Sequence, residues 1–211
     1  MRRMPPEERR GELIAAAIRV IARQGVAAAT TRAITAEAGM PLGAFTYIFG
    51  TQDELMTAVI DTVIEQERFA AESRAIDPTS LASAIRSGLE GYIDMLEHDP
   101  ADEIALLELA LVARRRDPQG QMRAQWQTYF RAAEQMLTYA AEITGNRWTE
   151  PVADLARHLV VVVDGITTTW LADGDSDAAR RTASFAAAAF AAASAPLRAP
   201  TEGSPRADGD R

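Results

Sequence analysis

The chain contains no cysteine and only two histidines among its 211 residues. The absence of cysteine excludes disulfide bonds, thiol nucleophiles, thiol redox sensing and cysteine-ligated zinc. His98 and His158 form no HExxH zinc motif, and no glycine-rich phosphate loop follows a strand-like segment. His98 lies beside Asp99 at an expected helix end and His158 lies one turn after Asp154, so capping and surface pairing are the expected roles. We therefore predict that the protein is not an enzyme and needs no metal or cofactor.

Lysine and long apolar runs are missing as well. All 22 basic residues are arginines, against 30 acidic residues, and the formal net charge is -8. No stretch of about 18 consecutive apolar residues is present, and the arginine-rich start lacks the apolar core of a signal peptide. We therefore expect a cytoplasmic protein that does not span a membrane.

One segment near the start of the chain has the spacing of two short helices joined by a tight turn. Thr31–Ala38 predicts the first helix, and Gly39 can adopt the left-handed conformation that reverses the chain after it. Pro41 suits the first turn of the next helix, in which Phe45 and Phe49 lie one turn apart and pack inward. The opposite face of that helix is not needed for packing and can contact DNA. This pattern is typical of a DNA-binding helix-turn-helix.

Two longer helices are expected on either side of this segment. The apolar spacing predicts a first helix over Pro6–Gln24, which Gly25 ends. After Gly50, the residues Thr51–Glu54 form a capping box in which the first and last side chains satisfy each other's backbone amides. A linking helix is therefore expected over about residues 51–69.

Residues Ala38–Phe49, reading AGMPLGAFTYIF, resemble the DNA-binding domain of TetR-type transcriptional regulators. The similarity extends upstream to Leu13 and downstream to Leu55, so it covers roughly the first quarter of the chain. The resemblance implies a homodimer of all-helical subunits. Each subunit would have a three-helix DNA-binding head and a larger helical body that binds a small molecule and forms the dimer.

The rest of the chain predicts five more helices, for an all-α fold of about nine helices. Proline, glycine or capping residues bound most of them. We expect these five helices over about residues 79–96, 101–115, 119–144, 149–172 and 176–195. The expected domains are a helix-turn-helix DNA-binding head over residues 1–50, a ligand-binding and dimerisation body over 51–195, and a disordered tail over 196–211.

The last two predicted helices carry more apolar surface than one subunit could readily bury. Leu159–Val163 is apolar on every face of its helix, and the final helix contains two phenylalanines separated by four alanines. In TetR-type regulators the corresponding pair forms a four-helix bundle with the second subunit. We therefore predict a dimer interface that includes Val161, Phe185 and Phe190.

The resemblance also implies which residues meet DNA. Thr31 would contact the DNA backbone, and Arg32 would donate two hydrogen bonds to a guanine in the major groove. The other implied contacts are Leu42, Gly43, Ala44, Thr46, Tyr47 and Gln52. Thr46, Gln52 and Pro41 stand where the family usually has tyrosine, lysine and serine. Few contact residues are polar, so thymine methyl contacts and DNA shape would carry much of the specificity.

A ligand pocket is implied among the body helices. The candidate lining residues are the large apolar and aromatic side chains of these helices, Tyr92, Met95, Leu106, Met122, Trp126, Phe130 and Trp170. Such side chains at helical spacing also form ordinary cores, and that alternative stays open. The composition favours a hydrophobic or aromatic ligand, with Glu108, Asp164 or His158 as groups that could orient a polar atom.

The sequence thus predicts a dimeric, ligand-responsive repressor that binds a pseudopalindromic double-stranded DNA operator and is released by a small, largely apolar molecule. Residues 1–58 carry seven arginines and six acidic residues, so the head is only weakly basic. This leaves a helical interaction module with a degenerate DNA-binding head as an alternative. A helical enzyme that uses carboxylates is a further alternative, but no specific motif supports it.

Overall fold

The computed structural model describes residues 5–73, 76–116 and 123–197. Within these ranges the chain forms nine α-helices, so the predicted all-α class is confirmed. The helices are α1 (Pro6–Gln24), α2 (Thr31–Glu37), α3 (Leu42–Ile48), α4 (Gln52–Ser73), α5 (Leu81–His98), α6 (Ala101–Arg116), α7 (Arg123–Ile143), α8 (Val152–Asp173) and α9 (Ser176–Ala192). A 3-10 turn over Val26–Ala28 separates α1 from α2.

Capping groups set the helix boundaries around the turn. The Thr30 hydroxyl accepts a backbone N–H in the first turn of α2 at 3.2 Å, and Gly39 reverses the chain with a φ of +63°. The Thr51 hydroxyl accepts the N–H of Glu54 at 3.1 Å, as a capping box requires. One detail differs from the prediction, because the Glu54 carboxylate accepts the N–H of Gly50 at 2.8 Å instead of that of Thr51. The carboxylate therefore fixes the turn that enters α4.

One hydrophobic core runs from the head into the body. In the head, fully buried Leu13 and Ile21 of α1 belong to the same cluster as Phe45 and Phe49, whose rings lie 5.9 Å apart. Helix α4 continues this core through fully buried Leu55 and Val63. Because α4 contributes to the core from Leu55 to Ile64, a displacement of this part of the helix can reach the head.

The body helices pack around α4 and α5. Helix α5 packs against α4 and α9, and α7 packs against α8. Helix α6 packs against α1, α4 and the 3-10 turn, so α4 and α6 both connect the body to the head.

A short antiparallel ribbon closes the end of the body, and the sequence patterns did not predict it. Its strands are β1 (Asn146–Trp148) and β2 (Ser194–Pro196), so α9 ends at Ala192 instead of at the expected residue 195. Gly145, with a φ of +66°, ends α7, and its carbonyl accepts the N–H of Leu197 at 2.9 Å. The ribbon depends on pairing between segments nearly fifty residues apart, which no local pattern in the sequence records.

Candidate functional site

Helices α2 and α3 present one exposed surface, which we call the reading face (Thr31, Arg32, Leu42, Gly43, Ala44, Thr46 and Tyr47). Phe45 anchors α3 in the core, while Thr46 is exposed and Ala44 is half-buried. Tyr47 has 74% of its surface exposed, and Leu42 on the same helix has 50% exposed. The exposed side chains of Leu42 and Tyr47 therefore leave apolar surface on α3 that the subunit itself does not cover.

Arg32 is the basic side chain of the reading face. It is exposed and forms no ion pair or side-chain hydrogen bond within the described part of the chain. Its guanidinium is therefore available to a guanine edge or a phosphate. The contact with a base edge that the resemblance implies for Arg32 stays a prediction.

Other arginines of the head hold its helices together. Arg19 donates to Glu12 at 2.9 Å and to Glu37 at 2.8 Å, and Arg23 pairs with Glu37 at 2.6 Å. The hydrogen bond from Arg19 lowers the pKa of Glu37, which keeps this carboxylate charged. Arg10 lies over the ring of Phe49, 5.2 Å from its centre. These arginines contribute to the net charge of the head, but their side chains form ion pairs or a ring contact within it.

Gln52 has a position that the sequence did not predict. Its side-chain amide donates to the carbonyl of Ala29 at 2.6 Å, which ties the start of α4 to the end of the 3-10 turn. A side-chain amide has two N–H donors, so one remains after this bond. Gln52 therefore has a structural contact in addition to any contact that it makes with DNA.

The body contains a mainly apolar cavity of about 350 Å³ between α4, α5, α7 and α8. We call it the body cavity. Many of its wall residues are small or aliphatic, with three tyrosines, one methionine and one glutamine among them. The lining consists of Ile64, Ile76, Ala84, Ile85, Gly88, Leu89, Tyr92, Tyr129, Ala132, Ala133, Gln135, Met136, Leu137, Tyr139, Ala140, Leu159, Val160 and Val163. A cavity of this size and polarity suits a small apolar ligand.

Most of the lining residues proposed from the sequence lie elsewhere. Tyr92 does line the cavity, whereas Met95, Leu106, Phe130 and Trp170 do not. Met122 and the Trp126 side chain lie outside the described residues.

Two of the side chains that do not line the cavity have other contacts. Phe130 lies 4.5 Å beneath the guanidinium of Arg157, and the Trp170 indole N–H donates to Ser176 at 3.0 Å. Large side chains fill space, so the cavity lies where Gly88 and alanines leave it open. Those small residues were the available signal in the sequence.

The polar candidates Glu108, Asp164 and His158 do not line the cavity either. The Glu108 carboxylate accepts the N–H of Val26 in the head at 2.8 Å. His158 is exposed on α8. Asp164 is half-buried, and this burial raises its pKa.

The outer faces of α8 and α9 expose large apolar side chains. Val161 is 67% exposed and Phe185 is 78% exposed. Phe190, which the sequence also assigns to the interface, is only 5% exposed and belongs to the core of its own subunit. Position 190 lies five residues after position 185 and so falls on the opposite side of the helix.

Helix α8 is long and apolar enough to meet the length and composition of a membrane span, the one such helix in the described residues. Only 33% of its most apolar window is buried within the subunit. Together with that of α9, its exposed apolar face forms a patch of the kind that marks an interaction surface.

Comparison with known proteins agrees with this geometry. Residues 13–59 match the family described as bacterial regulatory proteins, tetR family. The chain is 30% identical over 173 residues to the HTH-type nicotine-responsive transcriptional repressor HdnoR of Paenarthrobacter nicotinovorans, which covers 81% of this chain and 88% of that protein.

Solved structures give the same picture. The multidrug binding protein EbrR in complex with imidazole is 30% identical, with a TM-score of 0.62 over 88% of this chain and 92% of that one. Its complex with malachite green is 28% identical, with a TM-score of 0.60 over 85% and 98% of the two chains. A TetR-family regulator from Rhodococcus sp., at 19% identity, shares the fold with a TM-score of 0.74 over 88% and 99%.

These relatives confirm the family and the general function that the sequence predicts, a ligand-responsive DNA-binding regulator of transcription. They are transcriptional regulators and not enzymes. The similarity to HdnoR extends well beyond the head and through most of the body. The chain therefore belongs to the TetR family of bacterial regulatory proteins.

Proposed function

We propose that the protein is a homodimeric repressor that leaves its operator when a small, largely apolar molecule enters the body cavity. The observation that carries this proposal is the position of α4. Ile64 of α4 lines the cavity, and Leu55 of the same helix is fully buried in the core that the head shares. A ligand that displaces Ile64 would tilt α4, and so change the separation of the two heads in the dimer.

The reading face supports operator binding through the major groove. Arg32 would donate to a guanine, Thr31 and Tyr47 to phosphates, and Leu42 and Ala44 would meet thymine methyl groups. Two such faces related by dimer symmetry would bind half-sites about one helical turn of DNA apart. The weak net charge of the head predicts a modest dependence of affinity on salt.

The exposed apolar faces of α8 and α9 support dimerisation. We propose that Val161 and Phe185 contact a second copy, while Phe190 supports α9 from inside its own subunit. A closed symmetric dimer would bury the apolar face of α8 and would make it part of a four-helix bundle. This accounts for a helix of membrane-like composition without a membrane, and a cytoplasmic location follows from the proposed operator binding.

The proposed division of the chain is a head over residues 1–50 and a body that begins at residue 51. The ribbon contains Pro196 and is hydrogen-bonded to Leu197, so we extend the proposed body from residue 195 to residue 197. The rest of the proposed tail lies outside the described residues.

The ligand class follows from the composition of the cavity wall. Aliphatic and alanine side chains would surround an aromatic frame, and tyrosines would contact its faces and edges. The nicotine-responsive HdnoR and the EbrR complexes with imidazole and malachite green are consistent with an aromatic or nitrogen-containing effector. No catalytic step or cofactor enters this proposal.

The alternative is an interaction module whose head no longer binds DNA. The Gln52 contact with Ala29 favours it, because the amide at a usual phosphate-binding position is partly committed within the head. The free Arg32 and the exposed Tyr47 favour DNA binding.

Selection of bound sequences from random duplex DNA by the purified protein, at two salt concentrations, separates the two functions. The repressor predicts enrichment of a palindrome that is bound less tightly at the higher salt concentration. Enrichment of no sequence at either concentration would contradict operator binding by the protein alone. The enriched operator would then be used in a release assay with aromatic amines as effectors.

A further inference from the structure

The 3-10 turn that leads into α2 is held at both ends by side chains of body helices. At its start, the carboxylate of Glu108 in α6 accepts the N–H of Val26 at 2.8 Å. At its end, the side-chain amide of Gln52 in α4 donates to the carbonyl of Ala29 at 2.6 Å. Val26 is 8% exposed and Ala29 is fully buried, so both ends of the turn also pack in the core. We call the contacts made by Glu108 and Gln52 the turn clamp.

The clamped turn continues directly into α2. Thr30 follows Ala29, donates its N–H to the carbonyl of Ala28 at 2.7 Å, and caps α2 by accepting the N–H of Ala33 at 3.2 Å. Arg32 lies two residues after Thr30, in the first turn of α2. A helix cap joins the preceding segment to the first turn, so a shift of the clamped turn would carry Arg32 with it.

The other end of α2 has a separate anchor in α1. Glu37, the last residue of α2, pairs with Arg19 at 2.8 Å and with Arg23 at 2.6 Å. A helix of seven residues is about 10 Å long. If the clamp opened while Glu37 stayed paired, α2 would pivot about its end. The first turn, which contains Arg32, would then move furthest.

We infer that Glu108 is a positioning residue for DNA recognition, and that its bond to Val26 sets the place of Arg32 against the operator within each head. This inference rests on the proposed operator binding by the reading face. Two parallel hydrogen bonds to guanine require the guanidinium plane to align with the base edge, so a small pivot of α2 would weaken them. Because this effect arises inside one head, it does not depend on the separation of the two heads.

Three substitutions of Glu108 separate the bond from the charge. Glu108→Ala removes the acceptor. Glu108→Asp keeps the negative charge but is shorter by one methylene group, so its carboxylate does not reach the N–H of Val26 in the same backbone position. Glu108→Gln loses the charge but keeps an acceptor oxygen at the same reach. The proposal predicts that the aspartate variant behaves like the alanine variant and that the glutamine variant behaves like the unmodified protein.

The experiment measures binding of the full-length protein to two duplexes of equal length by fluorescence anisotropy. One duplex is the selected operator, and in the other duplex one half-site is scrambled, so only one head reads its sequence. Glu108→Ala and Glu108→Asp should bind the single half-site about fivefold more weakly, the loss expected for one misplaced hydrogen bond. They should bind the full operator about twenty-five-fold more weakly, because two equal and independent losses multiply. Glu108→Gln should stay within about twofold on both duplexes.

A double-mutant cycle with Arg32→Ala tests whether Glu108 acts through Arg32. If it does, Glu108→Ala should cost little further affinity once Arg32 is already alanine. Substitutions that act independently would instead multiply their effects on operator affinity. The cycle therefore separates the positioning of this side chain from any other route by which Glu108 affects binding.

Trp148→Phe is the control for a loss of stability in the body. The Trp148 indole N–H donates to the carbonyl of Leu137 at 3.2 Å, another bond from a side chain to a distant backbone group. Its loss should lower the stability of the body without affecting the turn clamp, so affinity for both duplexes should stay unchanged. A merely structural role of Glu108 would give Glu108→Ala and Trp148→Phe the same effect on binding.

Four results would overturn the proposal. Unchanged affinity in both Glu108→Ala and Glu108→Asp would show that the bond does not position the reading face. A loss on the full operator alone would mean that Glu108 sets the separation of the heads. A loss that persists in full in the Arg32→Ala background would assign the effect to another residue. If the unmodified protein prefers neither duplex over random DNA, the proposed operator binding fails as well, which distinguishes that failure from the other three.

Discussion

The carboxylate of Glu108 in α6 accepts the backbone N–H of Val26 at 2.8 Å, across 82 residues of sequence. Val26 begins the 3-10 turn that positions α2, so a body helix caps an element of the head. Gly25 makes this approach possible, because its φ is +81° and a Cβ at that position would lie 3.2 Å from the carboxylate. The contact gives α6 a direct polar connection to the head in addition to its packing against α1.

Glu108→Ala should loosen this connection. The N–H of Val26 loses its charged acceptor in a partly buried site, which costs about 1 to 2 kcal/mol of the free energy of unfolding. Hydrogen exchange should show faster exchange at Val26, and urea unfolding should show the lower stability. Glu108→Gln is the control and should retain most of both, because its amide oxygen can accept the same bond. Unchanged exchange at Val26 in the alanine variant would show that the bond does not hold the turn.

Arg32→Ala should weaken operator binding without affecting the fold. The side chain is exposed and forms no ion pair or side-chain hydrogen bond in the described part of the chain, so stability should stay within about 0.5 kcal/mol. Loss of a two-bond contact with guanine should cost about 1 to 3 kcal/mol of binding free energy. Fluorescence anisotropy with the selected operator measures this effect. Arg131→Ala, an exposed arginine of α7, controls for the loss of one positive charge; equal effects of both variants would remove Arg32 from the site.

Phe185→Asp should dissociate the dimer and leave a folded monomer, because the ring is exposed in the subunit. Phe190→Asp should instead unfold the subunit, because it places a charge in the core at a cost of several kcal/mol. Analytical ultracentrifugation and circular dichroism separate these two outcomes. Leu111→Asp changes an exposed leucine of α6 and should leave the dimer intact. A stable dimer of Phe185→Asp would place the interface away from α9.

The contact between α9 and α5 should make stability depend on pH in the acid range. Arg180 donates to both oxygens of Glu97 at 2.9 Å and to Asp94 at 2.7 Å. The hydrogen bond from Arg180 lowers the pKa of Glu97 from 4.5 to about 2. The folded state therefore binds this proton less readily than the unfolded state, so the stabilisation is complete above about pH 4.5 and is lost as the pH falls towards 2.

Arg180→Met should return the pKa of Glu97 towards its ordinary value and flatten the decline in stability between pH 4.5 and 2. Urea unfolding at a series of pH values measures the slope. The control is Arg181→Met, since Arg181 is a neighbouring arginine that lies 3.9 Å from Asp175 and is largely exposed. Equal slopes for Arg180→Met and the unmodified protein would show that the ion pair contributes nothing in solution. Because both partners are substantially exposed, the effect on stability at neutral pH should be small.

The head could be predicted because its structure depends on interactions between residues close together in the sequence. Gly39 with its positive φ, the Thr51 cap and the inward pair Phe45 and Phe49 act within one or two helical turns, so their consequences can be worked out from neighbouring residues. The exposure of Arg32 and Tyr47 follows from the same periodicity. Their contacts with DNA stay predictions.

The pocket and the interface were harder to predict because they depend on which helices meet. Trp170 and Phe130 have the size and polarity of pocket residues, but neighbouring helices give them other partners. Phe185 and Phe190 are the same residue type in the same alanine-rich helix, but Phe185 points outward and Phe190 points into the core.

By itself, the sequence determined the all-helical fold, the helix-turn-helix and the family, because caps, turns and apolar periodicity act between neighbouring residues. Only the tertiary structure decided where the cavity lies and that Glu108 reaches Val26. It also decided that the hydroxyls of Tyr92 and Thr167 are hydrogen-bonded, and that residues 194–196 pair with residues 146–148. Each of these features joins segments that are far apart in the chain. Their distances are fixed by the packing of whole helices, and a linear pattern does not contain that information.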